Sequence, residues 1–362
     1  MKKLKIKSAS SSLWFFMALL VLFRFVSTRP VYKNGETVRI TSRVMQEPAR
    51  YAFSQVISVA GLSVSLPLFP EVTYGDSVVV EGVVKDKKLV NGNLKMVIEN
   101  RNWLYSFREK IIAFYQKSLP EPSASLVSGM VLGSKASIPE KFWEDLKNTG
   151  TAHVVVASGM NVSIVAGFLM GIMVLFLPRN RAIPFVLAGI VLYCVLSGLD
   201  APIIRAAVMI SVVFLAQETG RVASAWRALV LSAFIMLLVK PLWLVDLGFI
   251  LSFVATASIL LFQKRINNKL TFIPGVLKEG LSTSLAAQIG VGPILFVTFG
   301  QFNILSPVIN ALILWTVPLI TVLGAVGGII GIFVPLIGML ILYVTYPLTW
   351  WFATIVSIST IF

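Results

Sequence analysis

The hydrophobic rhythm of this chain changes three times before residue 123. Leu13 to Phe23 is one apolar run, preceded by a basic start and closed by Arg24. From 35 to 103 the rhythm turns to alternation. Segments such as "GETVRITSRVMQEP", "YAFSQVISVAG", "GDSVVVEGVVKD" and "NLKMVIENRNWL" are rich in Val, Ile and Thr, with Gly, Pro, Asn and Asp punctuating them. A period of two between turn residues predicts strands, about five of them in some 70 residues, the size of a Greek-key barrel of the OB type. "WLYSFREKIIAFYQKSL" follows, with Trp103, Phe107, Ile111, Phe114 and Tyr115 at helical spacing. A one-sided aromatic helix of that kind suits a membrane interface, and packing against the barrel is the plain alternative.

Beyond residue 123 the apolar runs lengthen past the roughly 18 residues that mark a membrane-spanning helix. Spans are predicted near 152–177, 182–198, 202–217, 226–239, 243–262, 281–298, 303–325 and 333–358. "ASLVSGMVLGS" is too short to cross a bilayer and reads as a half-helix or re-entrant segment. The fold class that follows is a polytopic α-helical membrane protein with a small all-β, OB-like barrel near its N-terminus. Its expected divisions are a signal-anchor helix at 1–29, the barrel at 30–103, an amphipathic helix at 104–122 and the transmembrane domain at 123–362.

Composition agrees: 57% of the 362 residues are apolar and the mean hydropathy is +0.86. Charge adds the orientation. Of the net +15, residues 1–29 hold six basic and no acidic residues, 30–150 hold 15 against 12, and 151–362 hold ten against four. With the N-terminus inside, alternate loops collect eight cations on the inner face and only Lys240 on the outer. The barrel is then extracytoplasmic, on the outer side of the cytoplasmic membrane. A single Cys (Cys194) and a single His (His153) leave no disulfide framework, thiolate metal site or multi-histidine centre, and no metal or other cofactor is expected. No Walker sequence or dinucleotide-type glycine loop is present, so the chain does not read as its own ATP-driven motor.

Polar side chains inside the apolar runs are the candidate chemistry. "TGTAHVVVASGMNVSIVAG", residues 149–167, places His153, Ser158, Gly159 and Asn161 where lipid tolerates released backbone only if protein or water lines it. A broken helix lining a polar path accounts for this, and so does a small-residue packing site with Ser and Asn bonding across helices. "SGLDAPIIRAAVM" puts Asp200 at a span end and Arg205 about one turn inside. Either the two form a local salt bridge, or Arg205 grips a phosphate or carboxylate with its two-pronged guanidinium. Asp246 precedes "LGFILSF", where a helix cap is the simpler role. Asn310 and Pro318 interrupt another long apolar segment. In the barrel, Arg43, Arg50, Tyr51, Phe53 and Lys95 are the residue types that bind single strands, by stacking and by charge. They serve equally well to fill or solubilise a small barrel.

The order of these segments resembles the ComEC/Rec2 competence family. "NTGTAHVVVASGMNVSIVAG", "SGLDAPIIRAAVMISVVFLAQETGR", "LVDLGFILSFVATASILLF" and "INALILWTVP" look like its successive signatures, and "GDSVVVEGVV" like its OB-type domain. The family's first segment usually reads H-L-x-x-x-S-G-L-H. His153, Ser158 and Gly159 match it, while Asn161 stands where the second His is usual and cannot titrate near neutral pH. The resemblance implies a channel that passes single-stranded DNA across the inner membrane during natural transformation. The implied partners are single-stranded DNA, membrane lipid, a DNA receptor, a cytoplasmic motor and a nuclease. Many members carry a metallo-β-lactamase-like nuclease domain after the channel. One His cannot supply that site here, so the nuclease is a separate protein, or the chain is a fragment, or this version does without. On this reading the chain is no enzyme and has no catalytic residues.

Two other functions fit parts of the sequence. An intramembrane hydrolase would use Ser158 as nucleophile and His153 as base, but five residues on a continuous helix spread them by about 140°. A small-solute transporter would use half-helix binding sites, yet it leaves the barrel unexplained and no internal repeat is visible.

Overall fold

The computed structural model describes residues 16–28, 32, 34–44, 47–50, 53–86, 88–99, 102–135, 138–156, 158–218, 224–300 and 303–360. Helix α1, Phe16–Thr28, is the described part of the first apolar run. Its Arg24 donates from Nη2 to the Leu238 carbonyl (2.9 Å), which ties it to the helical body.

Six strands follow: β1 Thr37–Arg43, β2 Ala49–Arg50, β3 Ser54–Val59, β4 Leu62–Pro67, β5 Ser77–Lys85 and β6 Lys88–Ile98. They form one sheet in the order β1-β5-β6-β4-β3-β2, antiparallel throughout except for the β4–β6 pair. The two outermost strands, β1 and β2, are consecutive in the chain. One pairs with β5 and the other with β3, at opposite edges of the order, so the sheet curls toward closure. Six strands stand where about five were expected, the two-residue β2 being the addition. Alternation does the packing: Val56–Val59 and Leu62–Leu66 bury every second side chain. Ile57, Val59, Val64, Leu66, Val78 and Val80 make a core among the strands.

Helix α2, Trp103–Ser118, connects sheet to membrane domain. Its buried face is Arg108, Ile111, Tyr115 and Ser118. Tyr115 is enclosed in the main helical core, where its hydroxyl donates to the Gly324 carbonyl (2.8 Å). The amphipathic stripe at 104–122 is thus explained first by packing on protein, beyond the interfacial role expected of it.

The ten-residue α3, Ser123–Leu132, is buried along its whole length and ends on Gly133 in the left-handed conformation. It is the short half-helix the sequence suggested. After α4 (Glu140–Asn148) comes the first span, broken into α5 (Ala152–Val155) and α6 (Gly159–Phe176). Then follow α7 (Arg179–Leu196), α8 (Ala201–Glu218), α9 (Ala225–Val239), α10 (Leu247–Lys269) and α11 (Gly275–Phe299). The last three are α12 (Ser306–Ile313), α13 (Val317–Phe333) and α14 (Pro335–Ser359).

Among the described residues, six helices, with α5 and α6 taken together as Ala152–Phe176, are long and apolar enough to cross a membrane, or seven if the bent pair α12–α13 counts as one span. Eight spans were expected. The difference among the described residues is α9, whose 15 residues rise about 22 Å and fall short of that length. The second correction is at 303–325, where the apolar segment bends by 47° between α12 and α13. Pro318 lies in the first turn of α13, where its missing N–H costs nothing, and it ends the preceding helix there. The glycines of α13 pack closely, with Gly324 against Val127 and Val131 of α3, and Gly327 against Leu342 of α14. Helix packing, the default reading of that glycine-rich run, is what they do.

Candidate functional site

The break in the first span centres on Val156 and Ser158. Both have extended backbone, and α6 restarts at Gly159 with Ser158 in the cap position. Ser158 forms no side-chain cap bond, so the first turn of α6 keeps open N–H groups, the positive end of the helix. Gly159 faces α8. A Cβ placed on it would come within 2.8 Å of Arg205 Nη2 and 3.3 Å of Ala206 Cβ. The missing side chain leaves the guanidinium room against the broken end of the helix.

Arg205 sits four residues beyond the start of α8, about 6 Å along its axis. Asp200 is not its partner: that carboxylate approaches Lys135 Nζ at 3.9 Å. What Arg205 meets is the ring of Phe253 on α10, 5.9 Å from the guanidinium carbon, while its buried Nε has no hydrogen-bond partner. A cation in a membrane helix costs about 2.5–3.5 kcal/mol on insertion scales and normally pairs or finds water. Here α6, α8 and α10 surround it with no carboxylate bound to it among the described residues.

Asn161, two residues past Gly159, is fully buried. Its amide donates to the Met130 carbonyl (2.8 Å) in the last turn of α3, and its Oδ1 is unpartnered. The polar residue that looked out of place therefore links two helix ends, satisfying a carbonyl that α3 leaves open. His153 lies on α5 with Nδ1 3.0 Å from the Gly150 carbonyl. No hydrogen bond joins it to Ser158 among the described residues, so the pair is not assembled as nucleophile and base. Asp246 is a helix cap, accepting from Phe249 N at 2.9 Å. Asn310 belongs to a separate polar seam. Its amide donates to Ser284 Oγ (3.0 Å) and Ser306 Oγ (3.3 Å), and Gly150 packs against Ser306.

The barrel candidates divide differently. Arg43 is engaged, donating from Nε to the Gly75 carbonyl (3.0 Å) and lying 5.2 Å over the Tyr105 ring. Lys95 pairs with Glu81 at 3.5 Å. Phe53 is exposed. Tyr51 and the Arg50 side chain lie outside the described residues.

A second charged cluster, which the sequence analysis missed, joins the sheet to the helices. Arg108 is buried, with Nη2 3.5 Å from Glu47 Oε2 and 3.3 Å from the Leu132 carbonyl, and Nε bonded to Leu196 O at 2.9 Å. Glu47 also accepts from Ser134 Oγ (2.8 Å) and Lys135 N (2.6 Å). The Tyr74 hydroxyl donates to Val195 O (3.0 Å) at the end of α7. Burial, reinforced by Tyr105, pushes its pKa up to about 12. These groups line a cleft of about 310 Å³ between sheet and helices. The local signal for Arg108 was its spacing, since 108, 111, 115 and 118 share one helical face. Nothing local marked Glu47.

The fold and this site define a class: a polytopic helical membrane protein with a broken span at its centre and a small β domain anchored on its helix ends. Comparison with known proteins makes the class specific. The competence protein family matches residues 130–361, and the chain belongs to it. It is 32% identical over 238 residues to ComE operon protein 3 of Bacillus subtilis, covering 64% of this chain and 30% of that protein. It is 26% identical over 231 residues to the uncharacterised protein YcaI of Escherichia coli (60% and 30%). It is 27% identical over 226 residues to competence protein ComA of Neisseria gonorrhoeae (58% and 31%). The matched regions thus span less than a third of each relative's length. No solved structure matches.

Proposed function

We propose that this chain forms the conduit by which single-stranded DNA crosses the cytoplasmic membrane in natural transformation. The N-terminus lies inside and the β domain outside. The observation that carries the reading is Arg205, a cation held inside the helical domain, against the positive end of a broken helix, with no carboxylate bound to it among the described residues. Such a place favours a transient negative group, and a phosphodiester backbone presents one at every step. Gly159 keeps the approach open, Ser158 adds polarity at the break, and Asn161 holds the break against α3. Membership in the competence family supports the direction of the reading, as do the names of two of its relatives. On this view the chain has no catalytic residue or cofactor of its own. A receptor, a nuclease and a cytoplasmic motor act with it.

The test follows labelled double-stranded DNA given to competent cells with and without this gene, and with Arg205→Ala. The quantity counted is the nuclease-protected single-stranded pool in the cytoplasm. Loss of that pool in both strains, with surface-bound DNA and variant protein level unchanged, is the expected result. An undiminished pool in the deletion strain refutes the proposal.

A further inference from the structure

The two ends of the β domain differ in kind. At one end the turns are polar: Asn34, Gly35 and Glu36 lead into β1, and Lys85, Asp86 and Lys88 join β5 to β6, all of them exposed. The other end adds large apolar side chains to its exposed Arg43, Glu71 and Glu99. Phe53, just before β3, is 91% exposed and Phe69, just after β4, 71%. Ile98, closing β6, is 48% exposed and Trp103, opening α2, 68%.

Strand register places these four at the same end. Ser54 pairs with Pro67, so Phe53 and Phe69 flank one end of the β3–β4 hairpin. β4 runs parallel to β6, which brings the end of β4 to the same side as Ile98. Ile98 pairs with Ser77, and Ser77 with Arg43. This is also the end that sits on the helices, because Tyr74 bonds the Val195 carbonyl in the last turn of span α7. Gln55 folds the intervening loop down by binding the carbonyls of Pro67 and Pro70 (both 2.8 Å) and the N–H of Val72 (3.0 Å). Phe69 lies five residues from Tyr74, which limits their separation to about 18 Å.

From this asymmetry we infer that Phe53, Phe69, Ile98 and Trp103 form a membrane-contacting rim. Through it the β domain rests on the lipid surface beside the helices. The end of a span marks the bilayer interface, and aromatic side chains at that level settle among the headgroups. The inference is independent of strand conduction. It explains why the two ends differ and assigns Phe53 to lipid in place of DNA.

The test uses the full chain with Cys194→Ala, which removes its only thiol. Phe53→Cys, Phe69→Cys and Asp86→Cys are spin-labelled one at a time in phosphatidylcholine nanodiscs. Collision with oxygen, which concentrates in lipid, is compared with collision with a water-soluble nickel chelate. The inference expects the oxygen-to-nickel ratio at 53 and 69 to exceed that at 86 several-fold. Equal ratios at the three sites overturn it. So does a water-like ratio at 53 and 69 that changes only when a single-stranded oligonucleotide is added, which reassigns the rim to nucleic acid.

Discussion

Two arginines inside the fold, Arg108 buried and Arg205 half-buried, differ in what surrounds them. Arg108, where the sheet meets the helices, is saturated: a carboxylate, two backbone carbonyls and the ring of Tyr74 surround it. Arg205, inside the helical domain, has a ring, a glycine and an Nε with no partner. A saturated cation is fixed in place, and removing it strands its carboxylate. An unsaturated one adds little to the fold, and under the proposed function it serves a passing phosphate. Arg108 is buried and Arg205 half-buried, and the partner list separates them further.

Four substitutions sharpen or break that contrast. Arg205→Ala is expected to reduce DNA uptake by at least tenfold, the order of one lost charge-assisted contact. Its thermal stability in detergent should be unchanged or slightly raised. Arg108→Ala should do the opposite, costing about 3 kcal/mol by leaving Glu47 without its buried cation. Its signature is a lower melting temperature and reduced accumulation, measured by scanning fluorimetry and immunoblotting. Should Arg205→Ala prove the more unstable of the two, the division fails.

Gly159→Ala comes next in size. The new methyl presses on Arg205 Nη2 at 2.8 Å, and a side-chain tip can retreat cheaply. Uptake should fall several-fold at normal protein level, while Gly159→Ala added to Arg205→Ala should do no further harm. Additive losses in that double variant would mean that glycine and arginine act separately.

The smallest effect belongs to Tyr74. Its pKa is raised from 10.0 to about 12, so the neutral hydroxyl is the form the docked state prefers. That contribution is complete below pH 10 and disappears as pH rises through about 12. Tyr74→Phe should remove the alkaline loosening of the β domain, read as protease sensitivity between pH 10 and 12, and leave behaviour near pH 7 almost unchanged.

Much of the fold was legible because its signals are local. Alternation at 35–103 announced strands, long apolar runs announced spans, and the glycine and polar residues of 149–167 announced the break. Arg205 was legible as a cation lodged in an apolar segment. Its surroundings were not, since Asp200, five residues away, turns to Lys135, and Phe253 arrives from 48 positions further on. Glu47 meets Arg108 across 61 positions, a contact no local pattern encodes. The short length of α9 was not legible either: composition reports apolarity but not how many residues the helix holds.

The most direct test of the central claim places a photoreactive phenylalanine analogue at Phe253, whose ring lies over Arg205, and another at the outward-facing Phe185 on α7. Competent cells illuminated during uptake of labelled DNA would be scored for label joined to this protein. The account predicts adducts at 253 and none at 185. Active uptake with no adduct at 253 would contradict it.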